Sequence, residues 1–189
     1  MTELLSIFTA FGLSFSAGLN AYIPLFIIGA LAHYTDVIQL TKPWDTLADP
    51  FVLIFLAVLI IIEFLADKLP AFNHLNDAIQ TFIRPTAGAI AFAATAGVIT
   101  DLHPAIALAC GLLVAGGVHT IKSAAVRPAV TATTGGAANT PVSIAEDIVA
   151  TIVSFLAIVI PILIAIFCII SLALVALWVN RRRQAQKPA

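Results

Sequence analysis

The chain has 189 residues, of which 61% are hydrophobic and 10% charged, with a formal net charge of −1. Soluble globular domains carry about 25% charged residues, so this composition has too little charge to coat a soluble surface. A net charge so close to zero also gives no global field to attract nucleic acid.

Apolar runs at 51–62, 105–118 and 148–179 point instead to an all-α, polytopic transmembrane bundle forming one integral domain over 1–189. In hydrocarbon the backbone must bond to itself, and the ~30 Å core takes about 20 helical residues. The expected site is a bacterial inner membrane. At the N-terminus, residues 4–15 resemble the apolar core of a secretory signal, but Met1-Thr2-Glu3 is acidic where a signal carries Lys or Arg. The stretch therefore reads as the start of the first span.

That span covers about 3–33, ~46 Å of helix, which is too long for one straight crossing. The excess falls at 18–24, where Gly18 weakens the helix and Pro24 removes a hydrogen bond, so a kink or break is expected around Asn20. Span 2 runs about 50–68, with Asp49 as N-cap, Pro50 at the first helical position and Pro70 as terminator. Residues 71–84 put Phe72, Leu75, Ile79, Phe82 and Ile83 mainly on one face and polar residues on the other, which predicts a short helix lying at the interface. Span 3 follows at 85–100 and span 4 at 104–126. The small, polar residues 127–142 predict a loop or a re-entrant segment.

Residues 143–180 read as one very long helix or as two spans, 143–160 and 161–180, broken at Pro161. The positive-inside rule favours two. With six spans, Lys68, Arg84, Lys122, Arg127, Arg181, Arg182, Arg183 and Lys187 share one side, and only Lys42 faces the other. Both termini are then expected in the cytoplasm. Ile83-Arg84-Pro85 and Val126-Arg127-Pro128 form a weak internal repeat, on the same side of the membrane.

Small residues let membrane helices approach closely. They recur as Ser6, Ala10, Ser14 and Gly18 in span 1, as Ala89, Ala93 and Gly97 in span 3, and as Ala107, Gly111 and Ala115 in span 4. Span 2 and the 148–179 run largely lack such stripes and read as lipid-facing. Cys110 and Cys168 have no metal-ligand spacing and read as packing residues.

Ionisable side chains within a membrane are costly and often functional. Glu63 ends an apolar run, one turn before Asp67 and next to Lys68. It reads either as a carboxylate reaching water or Lys68, or as a proton- or cation-binding group coupled to Asp67. His119, Lys122, Arg84 and Arg127 read either as snorkelling anchors or as a basic cluster. Ser143-Ile144-Ala145-Glu146 matches a capping box, with Asp147 beside it at the start of span 5. The candidate solute or proton site is Asn20, Glu63, Asp67, Lys68, His119, Asn139, Glu146 and Asp147. The candidate anion or lipid-headgroup site is Arg84, Lys122 and Arg127. Thr134-Gly135-Gly136 lacks P-loop spacing, and no nucleophile–base set, zinc motif or dinucleotide fingerprint is visible. No enzyme activity, metal or cofactor is therefore expected.

The stretches 18–24, 63–70, 81–89, 119–128 and 139–147 together resemble an uncharacterised bacterial membrane family, domain of unknown function 4126. The resemblance implies a membrane protein and carries no activity with it. The favoured expectation is a transporter or channel for a small solute or ion, with proton coupling at the charged residues. The alternative is a non-transport protein that binds membrane lipids through the basic cluster. Six short spans are few for a transporter, which leaves room for a homo-oligomer.

Overall fold

The computed structural model describes residues 2–66, 73–96, 102–164, 166 and 170. Among the described residues the chain is helical, with no strand. Its α-helices are α1 (Thr2–Leu19), α2 (Tyr22–Tyr34), α3 (Pro50–Ala66), α4 (Asn73–Ala96), α5 (Pro104–Ile121), α6 (Arg127–Thr134) and α7 (Asn139–Val159). A 3-10 turn (Trp44–Ala48) precedes α3, and a π-helical stretch (Lys122–Val126) joins α5 to α6. Pro104–Thr134 and Asn139–Val159 are long and apolar enough to cross a membrane, and Leu5–Leu19, Tyr22–Tyr34 and Pro50–Ala66 are shorter apolar helices.

The small-residue stripes set the packing. Ser14 Oγ donates to Gly88 O at 2.9 Å, and Ala10 packs with Phe92, Ala93 and Ala96, so α1 and α4 run antiparallel. On the next interface Gly111 sits against the backbone of Gly88 and Ala89, closer than any Cβ would allow, which brings α5 antiparallel onto α4. A Cβ on Gly18 would lie 2.6 Å from Val118 Cβ and 2.7 Å from Ala115 O, so only glycine lets the last turn of α1 rest on α5. Thr9 Oγ1 donates to Ala157 O at 2.7 Å and Ser16 Oγ to Ala150 O at 2.8 Å, which lays α7 antiparallel along α1. α7 therefore has its own buried stripe of Ser143, Ala150, Ser154 and Ala157 and is not simply lipid-facing. α3 matches its lipid-facing reading better: only Leu53, Leu56 and Glu63 are buried, while Phe51, Ile54, Phe55 and Ile61 are exposed.

The break at Asn20 is sharper than a kink. Leu5, Ser6 and Thr9 from the start of α1 line one cavity together with Val37, Ile38 and Gln39, which follow α2. Residues on either side of Asn20 meet there only if α2 folds back along α1. The expected single broken span is thus a helical hairpin with its tip at Asn20. α4 starts 11 residues before Arg84 and α7 starts 8 residues before Asp147, so both continue about 12–17 Å past the level of the tip. The start of α1 lies at the end of the bundle that carries Lys42, away from Arg84 and Lys122 at the tip.

Further expectations change. α4 runs unbroken from Asn73 through Pro85 to Ala96, so among the described residues there is no division between the expected interfacial helix 71–84 and the expected span 85–100. Its amphipathicity is also inverted: Phe82 is 78% exposed while Gln80 is buried and Arg84 is 0% exposed, because the polar side chains find partners inside. Residues 127–142 are mostly helix, α6 and the start of α7, and no residue of α6 is buried. The π stretch has a local cause. Pro128 lacks an N–H, and in a regular helix its ring would press on the carbonyl four residues back. The wider turn, with Arg127 N donating to Lys122 O, relieves that crowding. Finally, α7 begins at Asn139 with Pro141 in its first turn, so Ser143 and Glu146 lie inside the helix and form no capping box. The repeat also dissolves, since Arg84 is buried in mid-helix and Arg127 opens α6 half-buried.

At the far end of α7 the helix breaks at Ile160 (φ −137°, ψ 64°) and helical turns resume at Pro161. Ala157 and Ile164 both reach the place a Cβ on Gly12 would occupy, at 2.8 and 3.1 Å. Seven residues of straight helix would separate them by about 10 Å, so the chain doubles back at Ile160.

Candidate functional site

Around the hairpin tip the bundle buries charge. Glu63 is the only ionisable residue of α3, and its Oε1 accepts from Arg84 Nη2 of α4 at 2.8 Å, with side-chain exposures of 1% and 0%. A guanidinium can only donate, so the contact of Arg84 Nη1 with His119 Nδ1 at 3.4 Å makes Nδ1 an acceptor. The ring proton of His119 then sits on Nε2 and faces Thr81 Oγ1 at 3.1 Å. Tyr22, at the start of α2, is hydrogen-bonded to Gln80 and lies within electrostatic reach of Glu63 and Arg84. Removing both charges from water is expensive, and the pair stands only because each ion has the other at contact distance.

The second half of the cluster caps the two helix ends at the tip. The last carbonyls of a helix and the first amides of the next have no partner in their own helix. Asn20 Oδ1 accepts from Tyr22 N and Ile23 N, both at 3.1 Å, and so caps α2. Its Nδ2 donates to Asp147 Oδ1 of α7 at 3.0 Å, which fixes the orientation of the amide. Lys122 Nζ reaches Leu19 O, at the end of α1, at 3.1 Å and Glu146 Oε2 at 2.7 Å. Cation at a helix C-terminus and carboxylate near an N-terminus both complement the helix dipoles.

Seven of the residues singled out in the sequence therefore meet: Asn20, Glu63, Arg84, His119, Lys122, Glu146 and Asp147. Asn139 does not join them; it exchanges hydrogen bonds with Thr131 at the α6–α7 turn, at 3.0 and 3.3 Å. Asp67 and Lys68 lie outside the described residues, and so does the proposed coupling of Asp67 to Glu63. Arg84 and Lys122 face Glu63 and Glu146 across helix interfaces, which is a different arrangement from an open anion or headgroup site shared with Arg127. Among the described residues no three His, Cys, Asp or Glu side chains gather as metal ligands.

A family model described as a domain of unknown function (DUF4126) matches residues 7–182. The chain belongs to this family. No curated protein and no solved structure matches it.

Within this DUF4126 chain, Thr81 was not legible as part of the cluster, because nothing local distinguishes it from other threonines of an amphipathic helix. The hydroxyls of span 1 were visible but serve a different end. Thr9, Ser14 and Ser16 donate to backbone carbonyls of neighbouring helices, and Ser154 donates to Ser16 at 2.7 Å. They hold helices together.

Proposed function

We propose that this DUF4126 protein is a multi-pass protein of the bacterial inner membrane that moves a small solute or ion past the hairpin tip. Proton binding at the charged cluster couples the movement, and no covalent chemistry is involved. The observation that carries this reading is the buried polar cluster around a helix break, inside a bundle whose outer surface is apolar. Discontinuous helices with their ends at the binding site are a recurring solution in transporters. The exposed Phe51, Phe55, Phe82 and Leu113 support a lipid-facing exterior.

At 13 residues, α2 is only about 20 Å long, short for a crossing. The α1–α2 hairpin is therefore read as entering from the Lys42 side, with α3, α4, α5 and α7 as crossings; most of the expected span 161–180 lies outside the described residues. Arg84, Lys122 and Arg127 then share the side opposite Lys42, and the N-terminus moves to the side away from the cytoplasm. The headgroup reading has less support, because two of its three cations already face carboxylates.

The test is solute uptake by proteoliposomes under an imposed pH gradient, across cations, anions and neutral solutes. At least one solute should accumulate with the wild type, and Asp147→Asn should reduce its flux while the protein still reconstitutes. Wild-type vesicles no more permeable than empty liposomes to every solute would refute transport.

A further inference from the structure

The tip selects for a particular kind of charge. The carbonyl end of α1 is the negative end of a helix dipole, and Leu19 O is an acceptor at that end. Glu146 Oε2 converges on the same point, 2.7 Å from the ammonium that also lies 3.1 Å from Leu19 O. The Asp147 carboxylate follows in sequence and is held against Asn20. A main-chain carbonyl and a carboxylate meeting on one ammonium, whose side chain is 3% exposed, have the composition of a site for a small cation. Here the cation arrives on a tether.

A second observation shows how the tether could withdraw. Lys122 is the first residue of the π-helical stretch, and its carbonyl accepts the i→i+5 bond from Arg127 N. A π turn holds one residue more than an α turn, and such turns occur frequently at functional sites. Reverting this one to α geometry shifts the register by one residue and swings Lys122 about 100° around the helix axis, against the renewed crowding of the Pro128 ring on the carbonyl four residues back. The ends of α1 and α2 need not move.

We propose that the tip of the α1–α2 hairpin is a binding site for a small cation of the ammonium class, which Lys122 fills as a tethered substitute. The proposal rests on the transport reading and names the substrate class for it.

Chemical rescue of the purified full-length protein tests it. Lys122→Ala removes the outer three carbons and the ammonium, leaving room for propylammonium. Melting temperatures are compared in propylammonium, sodium and tetramethylammonium chlorides at constant ionic strength. The variant should melt below wild type in tetramethylammonium, which has no N–H to donate. Propylammonium should restore at least half the loss, saturably, while leaving wild type unchanged. Lys122→Ala combined with Glu146→Gln should show no rescue. If Lys122→Ala does not accumulate, Lys122→Gln keeps a donor for Leu19 O and takes methylammonium in the same comparison. Equal melting in all three salts, or equal rescue in the Glu146→Gln background, overturns the proposal. Binding is read here without flux, so rescue in a protein that transports nothing would remove the transport reading and leave the site. Flux without rescue would do the reverse.

Discussion

Glu63→Leu is the sharpest test of the fold around the cluster. The substitution leaves the Arg84 guanidinium at 0% exposure without the carboxylate that contacts it at 2.8 Å. Breaking a buried ion pair from one side costs about 3–5 kcal/mol, since the remaining charge stays desolvated. For a chain of this size one kcal/mol moves the melting point by about 2–4 °C, so a fall of ~6–20 °C is expected. Glu63→Gln should fall less, because its amide oxygen can still accept from Arg84 Nη2. Arg84→Met strands Glu63 in turn and should cost a similar amount. The double variant Glu63→Leu/Arg84→Met removes both ions and should melt close to wild type, as apolar replacement of a whole buried pair often does. The assay is thermal unfolding in detergent followed by circular dichroism, read as a double-mutant cycle. A double variant whose loss equals the sum of the two single losses would refute the argument, because it would mean that the two charges do not depend on one another.

Two other predictions address the hairpin. An N-terminal tag and Asp36→Cys should be accessible to impermeant reagents from one face of the membrane, and Ala125→Cys from the other; a tag on the face of Ala125 would exclude a reversal at Asn20. Gly18→Leu drives a side chain into Val118 Cβ and Ala115 O, and overpacking of this kind costs about 1–3 kcal/mol or more. Its melting point should drop by several degrees, and a melting point unchanged from wild type would mean that α1 does not rest on α5 there.

The readable parts of the sequence were those with a local physical signature. Asp49-Pro50 announced the start of α3, and Asp49 Oδ1 does accept from Phe51 N at 2.8 Å. The stripe Ala107, Gly111, Ala115 announced a close interface, and all three are buried. Glu63, isolated at the end of an apolar run, stood out as a charge in need of an explanation, and among the described residues Arg84 contacts it. The hairpin was not readable. Pro24 and Gly18 mark a break equally well for a kink or a reversal, and residues 1–41 contain no Lys or Arg, so the charge count is blind to how that stretch crosses. The inward turn of Gln80 and Arg84 depends on Glu63 and His119, 21 and 35 residues from Arg84, and no local periodicity reports contacts at that range. The stripe on α7 was hidden because Ser143, Ala150, Ser154 and Ala157 are diluted among large aliphatic residues.

The capping of the hairpin tip also fixes an order of assembly. Leu19 leaves the ribosome 103 residues before Lys122, and Asn20 leaves it 127 residues before Asp147. At about 5–20 residues per second, the tip waits some 5–25 s for the side chains that complete it. The Glu63–Arg84 pair, separated by only 21 residues, has both members made long before the tip is complete. The nascent hairpin stays unfinished until the second half of the chain has been made. A fragment that ends before α5 would hold the tip's carbonyl and amides without the lysine and aspartate that secure them.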